Sequence, residues 1–213
     1  MTTQITLTTR DEELLKALAL KVRLFSLRQI ATQWWNGELA NTRRRLRQLV
    51  QIELLLSAQV LARPILNLDG PVIDWKPGDA APDCGQIAYA FQTRIRRIPV
   101  RTTGVFLATE RSARLFGGRC RGELAHPAQA THDLGVSAVW LHLAVHTPHR
   151  AMAWVGEDLL AHTRSGQKCP DAFIIDETNA VQNVIEFGGD YDRERIQSFH
   201  DDCVERVLPY QMW

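Results

Sequence analysis

The first half of the chain contains three short amphipathic segments in succession, and this order restricts the folds it can adopt. The segment DEELLKALALKVRLF at 11–25 spaces its leucines for a helix, and its early acids suit the positive end of the helix dipole. A second helix is predicted over SLRQIATQWW at 26–35, with Ser26 as its N-cap and Asn36-Gly37 at its end. A third helix is predicted from about 41 to 53.

An apolar stretch follows these helices. The sequence ELLLSAQVLARPIL at 53–66 predicts one or two strands, with a turn near Ser57-Ala58. Three short helices followed by a β-hairpin is the order of a winged helix-turn-helix. We therefore predict such a domain over residues 1–66, with the third helix as its recognition helix.

The predicted third helix carries an unusual density of arginine. Each residue turns a helix by about 100°, so Arg43 and Arg47 share one face and Arg44 lies beside it. Guanidinium groups bind phosphate oxygens and guanine edges well. The alternative is a solvated helix face that pairs with Glu38 or Glu53. The predicted DNA-binding residues are Arg28, Arg43, Arg44, Arg45 and Arg47.

The remaining sequence predicts a connecting segment and a second domain. Residues 67–100 combine a stretch rich in Pro, Gly and Asp with a helix over 84–98, and we interpret them as a linker. Residues 101–213 are predicted to form a small α/β domain, so the chain as a whole belongs to the α+β class. Its predicted strands are TGVFLAT, MAWVGEDLL, DAFIID and NVIEF, and its main helices are HDLGVSAVWLHLAVH and DRERIQSFHDDCVERV.

The charge is distributed unevenly along the chain. Residues 1–100 hold 14 Lys and Arg against 9 Asp and Glu, whereas residues 101–213 hold 11 against 15. A basic half and an acidic half suggest two tasks. The four cysteines are scattered without a CxxC pair, and the N-terminus lacks the order of a signal peptide, so we expect a cytoplasmic protein without a membrane segment.

Three carboxylates, Glu157, Asp171 and Glu186, are predicted on or at the ends of strands. Such carboxylates can converge on Mg²⁺, which polarises a phosphate and activates water. The segments KCPDAFIID and VIEFGG follow the outline PD…ExK of a broad nuclease fold, but Gly188 stands where that outline has the lysine that stabilises the reacting phosphate. Lys168 is an alternative source of this charge. Either Asp171 and Glu186 are metal ligands and catalytic residues supported by Glu157, or the scaffold is inactive.

Several of these segments, taken in order, resemble the replication-relaxation protein family of plasmids and other mobile elements. They are RLFSLRQIA, NTRRRLRQLV, THDLGVSAVWLHL, WVGEDLL, KCPDAFI and VIEFGGDYDRERIQSFH. The resemblance implies a winged helix joined to a domain similar to the PD-(D/E)xK nuclease core. It also implies that the protein binds double-stranded DNA and acts in replication, mobilisation or transcriptional control.

Three hypotheses follow from the sequence. The first is a DNA-binding protein of a mobile element, whose second domain serves dimerisation or partner docking. The second is a Mg²⁺-dependent endonuclease. The third is an interaction module whose acidic half binds a replication or transfer protein. The sequence leaves enzymatic activity, the DNA target and the oligomeric state open.

Overall fold

The computed structural model describes residues 6–64, 68–118, 127–160 and 169–213. Helices and strands both contribute, with two separate sheets, so the predicted α+β class is confirmed. The chain divides into two compact units, and each is built from two stretches of sequence. The first unit comprises residues 1–66 and 101–137, and the second comprises residues 67–100 and 138–213.

The elements are numbered in chain order across both units. The helices are α1 Thr9–Leu20, α2 Leu27–Trp34, α3 Leu39–Gln51, α4 Cys84–Arg96, α5 Glu110–Leu115, α6 Pro127–His146, α7 Pro148–Met152, α8 Glu157–Leu160 and α9 Arg193–Glu205. The strands are β1 Leu24–Ser26, β2 Leu55–Ala62, β3 Ile73–Trp75, β4 Arg101–Ala108, β5 Trp154–Gly156, β6 Ala172–Ile175, β7 Val181–Glu186 and β8 Tyr210–Met212.

Two reciprocal caps fix where α1 and α2 begin. The Thr8 N–H donates to Asp11 Oδ2 at 2.8 Å, and the Asp11 N–H donates to Thr8 Oγ1 at 3.3 Å. The predicted N-cap Ser26 makes the same arrangement with Gln29, at 2.9 and 3.2 Å. Each capping box satisfies backbone groups that a helix end would otherwise leave unpaired. The Ser26 prediction is therefore confirmed.

The turn between α2 and α3 uses the predicted Asn36-Gly37 pair. Both residues lie in the left-handed region, with φ of 49° at Asn36 and 81° at Gly37. Glycine adopts this conformation without steric cost, and asparagine tolerates it better than most residues. The Gly37 N–H donates to the Ala31 carbonyl at 2.9 Å, which closes α2. The predicted end of the second helix is confirmed.

The sheet of the first unit is antiparallel and has the order β1-β4-β2. The central strand β4 pairs Leu107 with Leu24 of β1 on one side and with Leu56 of β2 on the other. The hairpin predicted within residues 53–66 does not form, because β2 is a single strand whose partner comes from residues 101–108. Periodicity alone does not reveal a partner that is so distant in sequence.

The predicted boundaries of the domains differ from those of the compact units. Residues 67–100 are more than a linker, since β3 pairs with β8 and α4 packs against α9 within the second unit. The start of the predicted second domain, residues 101–118, belongs to the first unit through β4 and α5. The helix α6 runs across the boundary between the units at residues 137 and 138.

The sheet of the second unit has the order β3-β8-β7-β6-β5. The strands β5, β6 and β7 form an antiparallel meander, and β8 then pairs parallel to β7 after the helix α9. The core of this unit lies between the sheet and the helices α4 and α9. Its largest buried members include Trp75, Phe91, Phe173, Ile196 and Tyr210.

Two local predictions in the second unit need correction. The segment at 152–160 is not one strand, since β5 covers only Trp154–Gly156 and α8 begins at Glu157. The strand β8 lies within a segment for which no element was predicted. Within the described ranges, no helix combines the length and apolar content that a bilayer crossing requires.

Candidate functional sites

The helix α3 divides its side chains into a buried sector and an exposed sector. Leu46 and Leu49 are fully buried, and they anchor α3 in the core of the first unit. Arg43, Arg44 and Arg47 are exposed. Because each residue advances about 100° around the helix, the buried stripe forces these three guanidinium groups outward. The structure therefore presents them on one solvent-facing surface, and Arg28 on α2 is exposed as well.

A cleft of about 550 Å³ lies between α3 and the sheet of the first unit, and we call it the strand-side cleft. Arg43 and Arg47 line its helical wall. Ser57 and Gln59 of β2 and Gly104 of β4 line its strand wall. The cleft therefore combines two cationic side chains with neutral hydrogen-bonding groups, which suits a polyanionic backbone.

Arg45 is placed differently from the prediction, since its side chain points towards α1. Its Nε and Nη2 atoms donate to Asp11 Oδ1 and Oδ2 at 3.0 and 2.6 Å, and Nη2 also donates to the Thr6 carbonyl at 2.8 Å. The Asp11 side chain is fully buried. Arg45 thus neutralises a buried carboxylate, and this ion pair corrects its assignment as a DNA-binding residue.

The electrostatics of this pair favour its charged form. Burial pushes the pKa of Asp11 upward, but the bonds from Arg45 and from the Thr8 N–H and hydroxyl outweigh burial and leave that pKa below its ordinary value. Asp11 also belongs to the capping box of α1, so one carboxylate both caps the N-terminus of α1 and pairs with Arg45 of α3. The sequence signal for this pair was the Thr8–Asp11 capping spacing, which did not indicate the partner on α3.

In the second unit, Asp171 and Glu186 lie side by side at one end of the β6–β7 pair. The register pairs Ala172 with Ile185, which brings the residues just outside this pair together. The Asp171 N–H donates to Glu186 Oε2 at 3.1 Å, and the Phe187 N–H donates to Asp171 Oδ2 at 2.7 Å. Both carboxylates are more than nine-tenths buried. The structure therefore brings together the two predicted acids.

Two residues that the sequence interpretation missed complete this acidic site. The Tyr191 hydroxyl donates to Glu186 Oε1, and Arg195 Nη2 donates to the Tyr191 hydroxyl at 2.9 Å. Burial, followed by the charges of Glu186 and Asp171, raises the pKa of Tyr191 far above its ordinary value. The phenol consequently stays protonated and remains a donor to the carboxylate. Its position just after the Gly188-Gly189 pair was the only sequence signal for it.

Glu157 approaches this site through its backbone. The Glu157 N–H donates to the Asp171 carbonyl at 2.8 Å. Its side chain is half-buried. Among the residues that the structure describes, no three His, Cys, Asp or Glu side chains form a group able to hold a metal ion. The acids that the structure places side by side are thus Asp171 and Glu186, the two predicted metal ligands, and the supporting role of Glu157 stays a prediction.

The position of the missing lysine is filled by an aromatic ring. A Cβ atom at Gly188 would lie 2.1 Å from Cε2 of Phe91 on α4. The Arg94 guanidinium lies 5.4 Å from the ring centroids of both Phe91 and Phe187, and burial lowers its pKa. No side chain fits at 188 unless the Phe91 ring moves. The alternative donor Lys168 lies outside the described residues.

A cavity of about 300 Å³ opens beside the acidic site. Its lining includes the polar side chains of Glu186, Tyr191 and Arg195 and the aromatic rings of Phe173 and Phe199. A few polar groups in a mostly apolar cavity can orient a small bound group. The acidic site is therefore in contact with open space despite the burial of its carboxylates.

Comparison of this chain with protein-family models, with curated protein sequences and with solved structures found no match. The resemblance to the replication-relaxation family accordingly stays a prediction.

Proposed function

We propose that this chain is a DNA-binding protein of a plasmid or other mobile element, acting in replication, mobilisation or transcriptional control. Its partner is double-stranded DNA, and its first unit acts as a winged helix-turn-helix with α3 as the recognition helix. The observation that carries the proposal is the exposure of Arg43, Arg44 and Arg47 on the solvent-facing side of α3. A homodimer remains a prediction of the same proposal.

The arrangement of elements supports this proposal. The first unit runs helix, strand, helix, helix and strand, and β4 then returns to the centre of a three-stranded antiparallel sheet. In a winged helix-turn-helix the second helix of the motif enters the major groove, and the strands flank it. The strand-side cleft would accept the DNA backbone between these two elements, with Arg43 and Arg47 on its phosphates.

A salt series of band-shift measurements tests the proposal. Each lost phosphate contact lowers the slope of log affinity against log salt by about 0.9. The Arg43→Ala plus Arg47→Ala variant should therefore lose affinity and reduce the slope by about 2. The Lys16→Ala plus Arg114→Ala variant is a matched control, because it removes two exposed cations of the same unit that pair with acids on α1 and α5. Equal losses in both variants would contradict the proposal.

The second candidate function is a Mg²⁺-dependent endonuclease, and the adjacency of Asp171 and Glu186 favours it. Magnesium is commonly held by one or two carboxylates together with water, so this pair suits the ion. When bound, the ion would polarise a phosphate and activate water. Asp171 and Glu186 would hold it, and the bond from Tyr191 would orient Glu186. The ring of Phe91 beside Gly188 counts against this function, because it takes the place of the lysine.

Incubation of supercoiled plasmid with the pure protein and Mg²⁺ or Mn²⁺ tests this second candidate. Nicking is expected from the parent protein and should be lost in Asp171→Asn, which keeps an oxygen acceptor for the Phe187 N–H. Intact plasmid with the folded parent protein, or nicking that survives Asp171→Asn, would exclude the assignment. Either result would leave the DNA-binding proposal unchanged, because that proposal depends on α3.

A further inference from the structure

A second cleft lies on the other flank of α3. Its volume is about 880 Å³, and Arg10 of α1 and Arg44 of α3 are among the residues that line it. We call it the helix-side cleft. At about 100° per residue, Arg44 and Asn41 lie on a different sector of α3 from Arg43 and Arg47. The exposed surface of α3 therefore has a cationic cleft on each flank.

Arg10 is held in position at this cleft by an aromatic ring. Its guanidinium carbon lies 5.3 Å from the ring centroid of Trp35, and Trp35 itself is only 8% exposed. Such a cation–π contact restrains the arginine while leaving its N–H groups free to donate in the plane of the guanidinium. Arg10 remains exposed to solvent, so it is both placed and accessible.

The charges that line the helix-side cleft leave it positive. The Asp11 carboxylate is neutralised by Arg45, as described above. Glu13 is the other acid that lines the cleft, and it is set against two cations, Arg10 and Arg44. Arg44 Nη2 is 3.4 Å from Asn41 Oδ1, a long contact with a neutral group. An excess of one positive charge favours an anionic ligand.

We propose that Arg10 and Arg44 form a second phosphate-binding site, which contacts the DNA strand opposite the one bound by Arg43 and Arg47. This inference rests on the proposed function. A helix with its side chains is about 10–12 Å across, and the major groove is about 12 Å wide. A helix in that groove has a sugar-phosphate strand on each flank. Two cationic clefts that flank α3 match the two strands.

The test uses the full-length chain and a labelled duplex of mixed sequence in a salt series. Arg10→Ala should weaken binding and lower the salt slope by about 1, because one phosphate contact is lost. Lys16→Ala is the matched control, since it removes one exposed cation from the same helix. Arg10→Lys should restore part of the slope because it keeps the charge. Thermal melting of each variant verifies that the fold is intact.

Each outcome separates this inference from the proposed function. If Arg10→Ala matches Lys16→Ala while Arg43→Ala plus Arg47→Ala still lowers the slope, the second phosphate site is wrong and DNA binding by α3 stands. If Arg10→Ala lowers the slope but Arg43→Ala plus Arg47→Ala does not, the phosphate contact proposed for Arg43 and Arg47 is wrong, and the contact with two strands fails with it. Loss of slope in both variants supports the inference.

Discussion

At position 188 the nuclease outline and the packing of the second unit require side chains of opposite size. The outline requires a long cationic side chain, whereas Phe91 of α4 leaves no room even for a Cβ atom. The backbone at Gly188 is still fixed on both sides: its N–H donates to the Trp213 carbonyl at 3.0 Å, and its carbonyl accepts from the Tyr191 N–H at 2.9 Å. Space and not backbone conformation calls for glycine here, since Gly188 is not among the glycines with a left-handed φ.

The contact between Gly188 and Phe91 predicts the effect of adding one methyl group. Gly188→Ala should destabilise the protein by about 1–3 kcal/mol, the usual cost of an overpacked core. Chemical denaturation would measure this change. Gly70→Ala is the matched control, because a Cβ atom there meets nothing within 4 Å. Adding Phe91→Leu to Gly188→Ala should cost less than the two changes summed. Equal stability of the two alanine variants would contradict the account.

At the scale of elements, the Asp11–Arg45 pair joins α1 to α3 and so orients the proposed recognition helix. The arginines of α3 therefore serve two different purposes. Arg43, Arg44 and Arg47 face solvent, whereas Arg45 is directed inward and pairs with Asp11. A buried pair is costly to break from one side because the remaining charge is left without compensation. The orientation of α3 therefore depends on a bond to α1, from which it is separated along the chain by β1 and α2.

Removing Arg45 should expose this dependence. Arg45→Met should cost about 3 kcal/mol, at the low end for a broken buried pair, since the Arg45 side chain is 20% exposed. The folded pKa of Asp11 lies below its unfolded value of 3.8. The stabilisation is therefore present above that value and is lost as the pH falls through the folded pKa.

Urea denaturation between acidic and neutral pH checks both parts of this prediction. The parent protein should lose stability as the pH falls below about 4, and Arg45→Met should show a smaller loss over the same interval. Arg47→Met is the control, because it changes the same residue type on the exposed face of the same helix. A parallel pH dependence in the parent and in Arg45→Met would show that the pair contributes little.

At the scale of the whole molecule, each compact unit is assembled from two separate stretches of chain. The residues that connect β2 to its partner β4 include β3 and α4, which complete the sheet and core of the second unit. Under the proposed function, the segment that contains β3 and α4 is therefore inserted between the two strands that would flank the recognition helix.

Local features of the sequence were predicted well, and pairings between distant segments were not. Ser26 and Asn36-Gly37 act on backbone atoms within a few residues, so their chemistry identifies them directly. The adjacency of Asp171 and Glu186 followed from strand ends, because a hairpin brings such ends together. The partner of β2, the position of β8 and the bond between Asp11 and Arg45 depend on tertiary contacts. No periodicity in a single stretch records these contacts.

The pairing of β2 with β4 also sets an order of events during synthesis on the ribosome. The strand β2 leaves the exit tunnel before its central partner β4 has been translated. Its Leu55 and Ala62 side chains, which are buried in the folded unit, then lack the central strand of their sheet. Residues 63–100 must emerge before β4 can close that sheet. A nascent chain therefore exposes an unpaired β2 edge for the whole of this interval, and chaperones that bind extended apolar segments would meet it there.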